Sequence, residues 1–518
     1  MRIAVIGSGI SGIAAAAVLQ REGHEVVVFE REAEPGGVWA RTYPNVTLQN
    51  IASQYHISDF PWPFEPDLHP TADQIRRYLA AAIEYFELDI RTSHAIERLE
   101  QLERGESGWR IHGRGPNGAF ELEFEFVLLA VGQYTQPKSP AWQRLPGRER
   151  YRGRILSELD VRDPQLFAGK RVAVIGFGKT AVDMATMAAE AGASSVSHVF
   201  RTSRWLIPVY LFGIHMSYAL FARHGSVMLP SWVHPSGPER FLHERLGFVV
   251  RGFWSMLARV VWTQHLRDAK PRDRQAHERI AKLRPEHGVV PDLRSAAAIA
   301  PRNYFRLVAE GKIDPVRAEL VGFDETGVRL GPVEGSSAEP PAELPAELVV
   351  LALGSGSPVF PFLPQRYRDL LEREPDGPQL YRHLLDPRIP NLAFAGYNHG
   401  FLHVPSVELA SLWLSAMLRG ELELPPPERM LAAIESIRTW KRANIAFEPS
   451  RSCATSTRFH QYLDVLLGDL GLSPYRKSNP LAELFARYGS ADYAGVIDEL
   501  NRERDKRPLR RRALDFET

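Results

Sequence analysis

A glycine-rich segment close to the N-terminus has the residue types and spacing of a phosphate-binding turn. Gly7, Gly9, Ser11 and Gly12 follow an apolar run over residues 1–6, and small, helix-forming residues come next. In a strand–turn–helix unit, such glycines permit the tight turn, let the backbone approach a pyrophosphate and let helix and strand pack closely. The helix N-terminus adds partial positive charge. The segment therefore predicts a turn that binds the phosphates of a dinucleotide.

A carboxylate follows this turn at the distance expected for a ribose contact. The apolar run HEVVVFE (residues 24–30) reads as a second strand and ends at Glu30, with Arg31 beside it. A carboxylate at this position can accept a hydrogen bond from a ribose hydroxyl. We therefore predict that Glu30 and Arg31 border the dinucleotide, and the alternative is an ordinary strand–helix–strand unit that binds nothing.

The chain contains a second copy of this unit, with one change that decides its ligand. Gly176 and Gly178 form the turn together with Lys179 and Thr180, and the strand that follows ends at Arg201, with Arg204 close behind. A guanidinium in place of the carboxylate can bind a ribose 2′-phosphate through paired hydrogen bonds. The first unit is thus predicted to bind an adenine dinucleotide such as FAD and the second NADPH, unless the two arginines are solvated surface residues.

The composition limits the class of protein. The 518 residues suffice for two or three domains, and a formal net charge of +1 gives no electrostatic reason to bind nucleic acid. A single cysteine, Cys453, excludes an internal disulfide, a redox dithiol and a zinc cluster of the usual cysteine–histidine type, so no metal site is predicted. The first predicted strand begins at the N-terminus, which leaves no room for a targeting peptide, and a cytoplasmic protein is expected.

Two apolar stretches, residues 205–221 and 246–262, are the most hydrophobic parts of the sequence. Proline, glycine and arginine interrupt them, so neither supplies the roughly twenty apolar residues of a membrane-spanning helix. We interpret them as buried helices over a substrate pocket. The alternative is a surface within residues 205–262 that contacts a membrane or a protein partner.

The order of these patterns predicts an α/β fold with two Rossmann-like dinucleotide-binding domains, the NADPH domain being inserted into the FAD domain. Buried strands that end in Gly132, Gly354 and Gly396 are expected to bring the chain close to the dinucleotides. The predicted FAD domain comprises residues 1–150 and 351–424. The NADPH domain spans residues 151–350 and includes an apolar helical insertion at 205–300, and residues 425–518 form a helical C-terminal region.

Several short motifs make the sequence similar to a known family. These are GSGISG (7–12), GGVW (36–39), DFPWP (59–63), AVGQYTQPKSP (130–140), GFGKTAVD (176–183), FRTSRW (200–205) and NLAFAGY (391–397). Together they resemble the flavin-containing monooxygenases and their Baeyer–Villiger relatives, the class B flavoprotein monooxygenases. The resemblance covers nearly the whole chain and implies one polypeptide that holds both FAD and NADPH.

The resemblance also implies roles for individual residues. Gly37, Val38 and Trp39 would lie against the flavin, and Arg201, Thr202 and Arg204 would bind the NADPH phosphate. Asn50, with its neighbour Gln49, matches an asparagine near flavin and nicotinamide, although a turn-capping role is the alternative. His399 and His403 could protonate or orient a reaction intermediate, or be ordinary loop histidines. One position departs from the family pattern, because Ser157 stands where a histidine of the domain linker is expected.

The activity implied is oxygen transfer. NADPH would reduce FAD, dioxygen would form a flavin C4a-(hydro)peroxide, and one oxygen atom would pass to a lipophilic small molecule by N- or S-oxygenation or Baeyer–Villiger oxidation. An NADPH oxidase or flavin reductase without oxygen transfer, and a non-catalytic flavin-binding redox sensor, remain alternatives. No motif specifies the substrate or the oligomeric state.

Overall fold

The structure is a computed structural model, and it describes residues 1–102, 108–133, 144–229, 231–232, 237–295, 298–334, 340–455, 458–506 and 511–513. Residues 134–140 of the predicted motif AVGQYTQPKSP lie outside this part. The strands are β1 (Arg2–Ile6), β2 (Glu25–Phe29), β3 (Asp89–Arg91), β4 (Ala95–Gln101), β5 (Trp109–Gly115), β6 (Gly118–Phe124), β7 (Phe126–Leu129), β8 (Arg154–Ser157), β9 (Arg171–Ile175), β10 (Ser195–Phe200), β11 (Leu206–Ile207), β12 (Tyr210–Leu211), β13 (Ile214–His215), β14 (Ala298–Ile299), β15 (Asp314–Arg317), β16 (Glu319–Phe323), β17 (Gly327–Gly331), β18 (Glu343–Pro345), β19 (Leu348–Leu351), β20 (Leu392–Phe394), β21 (Leu422–Glu423) and β22 (Arg511–Arg512). The helices are α1 (Ile10–Arg21), α2 (Ala72–Tyr85), α3 (Lys179–Glu190), α4 (Ser217–Leu220), α5 (Arg223–Val227), α6 (Gly237–Arg245), α7 (Gly247–Ala269), α8 (Arg274–Ala281), α9 (Val289–Ser295), α10 (Tyr304–Ala309), α11 (Gln365–Leu371), α12 (His403–Leu418), α13 (Pro427–Asn444), α14 (Phe459–Leu470), α15 (Pro480–Phe485) and α16 (Val496–Lys506).

The first domain is built on a parallel sheet with the strand order β20-β7-β1-β2-β3. Its central strand β1 is an apolar run, and residues 3–5 are completely buried, as is usual for a parallel strand covered on both faces. Helix α1 packs between this sheet and α12. An antiparallel sheet of β4, β5 and β6 completes the domain.

The second domain repeats this architecture. Its parallel sheet has the order β15-β10-β9-β19-β8, and β16, β17 and β18 form a second antiparallel sheet. The strands of its parallel sheet all lie between β7 and β20 in the chain, so the second unit interrupts the first. The predicted fold class, an α/β protein with one Rossmann-like domain inserted into another, is confirmed, whereas the predicted boundaries at residues 150, 350 and 424 stay predictions.

The apolar segment 205–300 forms helices α4 to α9, with the short strands β11 to β14 among them. The C-terminal half of α7 packs on the second domain, where Trp262 and His265 contact Phe305. Its N-terminal half joins a separate apolar cluster with Trp205 and Met216. Within the described ranges, no helix is both long enough and apolar enough to cross a membrane.

The C-terminal region is helical, and it packs against α12 of the first domain. A buried ion pair joins Arg382 to Asp469 of α14, with Nε and Oδ2 separated by 2.9 Å, and the indole N–H of Trp413 donates to the same carboxylate at 2.9 Å. Helix α12 begins at His403. His403 therefore lies in the first turn of a helix rather than in a loop.

Candidate active site

The first glycine-rich turn leaves no room for side chains. Gly7 has φ +108°, and a Cβ atom there would lie 2.5 Å from the carbonyl oxygen of Ala130. A Cβ atom on Gly12 would lie 1.9 Å from the Gly7 oxygen, so this position requires glycine for helix–strand packing. Gly9 faces Gly37, since a Cβ atom on Gly37 would come within 2.9 Å of the Gly9 Cα atom. The two bare backbones form a surface that a pyrophosphate can approach closely, which fits FAD.

Glu30 lies directly behind this turn. Its carboxylate is buried and accepts hydrogen bonds from the backbone N–H of Ser8 at 2.9 Å, from the Ser8 hydroxyl at 2.8 Å and from the Glu32 N–H at 3.0 Å. Arg31 is exposed and pairs with Glu32 at 3.1 Å. The carboxylate is therefore fixed next to the phosphate turn, where a ribose contact is expected, and this contact stays a prediction.

The GGVW segment forms a 3-10 helix, Gly37–Ala40, beside the turn. The indole N–H of Trp39 donates to the Tyr55 hydroxyl at 2.9 Å, which fixes the ring edge-on to Tyr55. The Val38 side chain is exposed. The segment is thus anchored through Trp39, while the predicted flavin contacts of Gly37, Val38 and Trp39 stay predictions.

The ends of β7 and β20 meet the N-termini of α1 and α12 at one point. The Ser11 hydroxyl lies 2.9 Å from Nε2 of His403, and the Gln133 side-chain amide donates to the carbonyl of Gly396. Gly132 and Gly396, the glycines at the two strand ends, share a φ close to +80°. Strand β19 of the second domain ends in the same way at Gly354.

Three residues at or next to this meeting point each have a buried polar atom without a hydrogen-bond partner. Within the described residues these are Gln133 Oε1, Asn398 Oδ1 and His403 Nδ1. A buried polar atom without a partner costs free energy, so such atoms indicate a ligand with complementary donors and acceptors. The polar edge of a flavin ring has both, so this set fits FAD as well.

Asn50 and Gln49 are brought to two different places. The Asn50 amide donates to the Phe401 carbonyl, and the Asn50 carbonyl lies 3.0 Å from Nδ1 of His69. Asn50 therefore contacts the loop between β20 and α12. Gln49 accepts from the backbone N–H of Ile299 at 2.8 Å, so it connects the first domain to the inserted segment. Their roles in catalysis stay predictions.

His399 lies in the same loop and is held by the C-terminal region. Its carbonyl accepts from the N–H of Thr455 at 2.9 Å and from the Thr455 hydroxyl at 3.0 Å. Loss of solvation, together with the neighbouring His403 and Lys441, lowers the pKa of His399 to about 3. An imidazole with this pKa is neutral at neutral pH, and both predicted roles of His399 stay predictions.

The second glycine-rich turn rests on a histidine that sequence reasoning missed. The buried His198 donates from Nε2 to the Gly176 carbonyl at 2.7 Å, and its Nδ1 accepts from the Tyr304 hydroxyl at 2.7 Å. Burial lowers the pKa of His198 to about 4, so the ring is neutral and its tautomer is fixed by its partners. No described atom lies within 4 Å of a Cβ built on Gly178, which leaves space above the turn for a dinucleotide. A lone histidine in an apolar strand was the only sequence signal.

Lys179 and Thr180 begin helix α3 at the junction of the two domains. Lys179 forms an ion pair with Asp183, one helical turn later, rather than facing solvent alone. The Tyr43 hydroxyl of the first domain donates to the same carboxylate at 2.7 Å, and burial, with the charge of Asp183, raises the pKa of Tyr43. Tyr43 and Asp183 thus connect the two domains. Tyr43 was not predicted, and Asp183 was named only as part of the motif GFGKTAVD.

The arginines of FRTSRW differ in their surroundings. Arg201 follows the end of β10 and is 68% exposed, with Nη1 3.4 Å from Glu319, and Thr202 beside it is exposed. Arg204 is one-third exposed, with Nη1 3.0 Å from Glu448 and 4.0 Å from the buried Asp292. Both guanidinium groups thus have carboxylate partners, and Arg201 is the more exposed of the two. The predicted phosphate contacts of Arg201, Thr202 and Arg204 stay predictions.

Comparison with known proteins identifies the family. Residues 1–229 match the family model described as flavin-binding monooxygenase-like. A probable flavin-containing monooxygenase 1 of Arabidopsis thaliana is 31% identical over 95% of this chain and 96% of its own length. The chain belongs to the flavin-containing monooxygenase family. Membership confirms the predicted oxidoreductase, a flavoprotein monooxygenase that uses FAD and NADPH.

Solved structures share the fold at lower identity. The S-allyl-L-cysteine S-oxygenase from Allium sativum superposes with a TM-score of 0.60 at 17% identity, covering 98% of this chain and 93% of that one. A steroid monooxygenase bound to NADP superposes with a TM-score of 0.62 at 20% identity, covering 97% and 98% of the two chains. These likenesses confirm the two-domain fold of the family.

Ser157 stands where the resemblance led us to expect a histidine of the domain linker, and this departure stays a prediction. It ends β8 at the edge of the second sheet, and its hydroxyl and N–H both donate to the Asp160 carboxylate at 2.7 Å. Its polar groups therefore bind locally, whereas Tyr43 and Asp183 form a hydrogen bond between the two domains.

Proposed function

We propose that this monooxygenase transfers one oxygen atom of dioxygen to a nitrogen, a sulfur or a ketone carbon–carbon bond of a lipophilic small molecule. The observation that carries the proposal is the contact of the inserted segment with the loop before α12. The buried ring of Phe221 packs edge-on to Phe401, whose carbonyl binds Asn50, with centroids 5.3 Å apart. An apolar cover thus lies over the loop that carries the candidate flavin contacts.

The chain's own residues supply binding and orientation. The backbones of Gly9 and Gly37 would receive the pyrophosphate of FAD, Glu30 its ribose, and Gln133 and Asn398 polar atoms of its ring. When bound and reduced, FAD supplies the electrons that activate dioxygen, a reaction that protein side chains alone do not perform.

NADPH binding is assigned to the second turn on the same grounds. The backbone around Gly178 is open, His198 fixes the carbonyl that precedes it, and Arg201 lies at the end of the neighbouring strand. A guanidinium at this edge would bind the 2′-phosphate through charge-assisted hydrogen bonds.

Exclusion of water is the third task of the protein. Phe221 also contacts Phe459 of the C-terminal region, with centroids 5.9 Å apart, so three segments of the chain meet over the site in apolar contacts. A dry site suppresses side reactions with water and loose protons, and it favours lipophilic substrates. The intermediate that the family resemblance implies stays a prediction.

The proposal is tested with isotopic oxygen. The FAD-loaded protein is supplied with NADPH, ¹⁸O₂ and, in turn, a thioether, a tertiary amine and a cyclic ketone. We expect NADPH consumption to rise with one of these substrates and its product to contain one ¹⁸O atom. NADPH consumption that yields only hydrogen peroxide would favour the oxidase, and no consumption at all would favour the redox sensor.

A further inference from the structure

A cavity of about 680 Å³ lies within the inserted segment, away from both glycine-rich turns. One wall is a face of α7, and the opposite wall is the loop between α8 and α9 together with the start of α9. A buried carboxylate holds this wall in place, since Asp292 accepts from the Trp205 N–H at 2.7 Å and from Nε2 of His287 at 2.8 Å. The volume falls in the range of small-molecule sites.

Part of the lining is apolar and aromatic. Trp205, Val250 and Trp254 are buried residues of this wall, and Ala258 continues it along α7. Both indole N–H groups have backbone partners, because Trp205 donates to the His287 carbonyl at 2.8 Å and Trp254 to the Met228 carbonyl at 2.9 Å. The aromatic side chains therefore need no polar group from a ligand.

The rest of the lining is strongly cationic. Arg251 and Arg259 lie two helical turns apart on one side of α7, and Arg284 and Arg294 come from the opposite wall. In the described part of the chain, none of these arginines has a carboxylate within ion-pair distance. The carboxylate in the lining, Glu286, pairs with Arg317, whose Nη2 lies 3.1 Å from it.

The innermost arginine lacks a partner for one buried atom. Arg294 donates from Nη1 to the Asn444 carbonyl at 2.8 Å, but its Nε is buried without a hydrogen-bond acceptor. Burial and the neighbouring Arg458 lower the pKa of Arg294 to about 10. The chain as a whole has a net charge of only +1, so this concentration of unpaired positive charge is local.

We propose that this cavity binds an amphiphilic anion, a molecule with an apolar body against the tryptophan wall and a carboxylate or similar group among the arginines. Guanidinium groups bind such anions through paired, charge-assisted hydrogen bonds. The lining shares no residue with the turns at 7–12 and 176–181 or with Arg201. It adjoins the motif FRTSRW through Trp205, and Asp292 of its wall lies 4.0 Å from Arg204, so competition with NADP⁺ decides whether the anion site is distinct from the coenzyme phosphate site. The anion site goes beyond the proposed oxygen transfer and does not depend on it.

Calorimetry on the FAD-loaded full-length protein tests this assignment, with decanoate and 1-decanol as matched probes below their aggregation limits. We expect decanoate to bind at least about tenfold more tightly than the alcohol, because only the anion pairs with the arginines. Its affinity is expected to stay unchanged in saturating NADP⁺. Equal affinities, absence of binding, or displacement by NADP⁺ would each overturn the proposal.

Variants locate the site. In Arg251→Gln/Arg259→Gln the preference for decanoate over decanol is expected to fall about tenfold or more, whereas Arg274→Gln, an exposed side chain at the start of α8, leaves it unchanged. Ala258→Trp fills the cavity without removing an arginine and is expected to abolish binding of both probes. Circular dichroism and FAD content verify that each variant folds. Unchanged decanoate binding by folded Ala258→Trp would place the ligand elsewhere and refute the cavity site.

Discussion

Two arginines that are three positions apart have different surroundings. Arg201 is largely exposed, whereas Arg204 lies between Glu448 and Asp292. An arginine that already pairs with carboxylates contributes to the packing of the chain, and its removal leaves buried charge unpaired. Arg201 pairs at 3.4 Å with Glu319, which is itself exposed, so it can exchange this partner for a ribose 2′-phosphate at little cost.

This difference predicts separate effects on coenzyme use. Arg201→Ala is expected to lower kcat/KM for NADPH about tenfold and to leave NADH use nearly unchanged, because only NADPH carries the 2′-phosphate. Steady-state kinetics with both coenzymes measure this. Arg204→Ala is the matched comparison and is expected to affect both coenzymes equally, together with a lower melting temperature. Equal losses for both coenzymes in Arg201→Ala would contradict the phosphate role.

Single residues show which parts of the site the sequence allowed us to predict. The roles of Gly7 and Gly12 follow from local chain geometry, which is why the spacing sufficed to identify the turn. His198 and Tyr43 could not be predicted, because their partners Gly176, Tyr304 and Asp183 come near them only once the chain has folded. A hydrogen bond between distant residues leaves no periodic pattern in a single sequence.

At the level of secondary structure, the inserted segment shows how far burial could be predicted from hydrophobicity. Its hydrophobicity predicted burial over a substrate pocket; Phe221 is buried, and the pocket beneath it stays a prediction. Other apolar residues are exposed, among them Phe241, Phe248 and Met256. Contact of this surface with a membrane or a partner stays a prediction, since pattern alone does not tell which side of an apolar helix is covered.

The apolar cover that Phe221 forms against Phe401 predicts a consequence for catalysis. When this contact is removed, less of the consumed NADPH should lead to oxygenated product. Phe221→Ala leaves a void beside Phe401 and is expected to cost about 3–5 kcal/mol of stability, typical of a buried phenylalanine. It should also raise the hydrogen peroxide released per NADPH consumed several-fold, because water then reaches the site. Peroxide and NADPH assays on the folded, FAD-loaded variant test this. Phe241→Ala, at an exposed position of the same segment, is the control. An equal ratio of peroxide to NADPH in both variants would contradict the role of Phe221 as an apolar cover.

The nested order of the two domains could be predicted because each domain contains a recognisable local pattern of a strand, a glycine-rich turn and a second strand. Helix α12 shows the limit of such reasoning, since its N-cap residue Leu402 forms no side-chain hydrogen bond that would mark a start. Its first turn contacts α1 through His403 and Ser11, which are far apart in the chain. Element type therefore follows from local pattern, and element ends follow from tertiary contacts.

At the scale of the whole molecule, several buried histidines make stability depend on pH. Burial lowers the pKa of His198 and His265 to about 4, and it lowers the pKa of His383 and His460 well below the usual value. The unfolded chain binds protons at these positions near the usual pKa of about 6.5, so between that value and about 4 it holds more protons than the folded chain. The neutral histidines therefore contribute to the free energy of unfolding above about pH 6.5, and this contribution is lost as the pH falls from about 6.5 to about 4. Glu408 acts in the opposite direction, since burial raises its pKa to about 8 and its contribution is lost as the pH rises toward that value.

His265 offers a direct test of this balance. Its ring stacks on Phe305 with centroids 4.0 Å apart, and Nε2 donates to the Leu206 carbonyl at 2.7 Å. His265→Phe keeps an aromatic ring but removes the titrating group. The free energy of unfolding in urea is measured for the FAD-loaded protein between pH 7 and pH 5. Its slope against pH should be smaller in the variant, by up to about one bound proton. The variant should also be less stable at pH 7, because the hydrogen bond is lost. His277→Gln, exposed on α8, should keep the original slope, and an unchanged slope in His265→Phe would show that this histidine is already able to take up a proton in the folded protein.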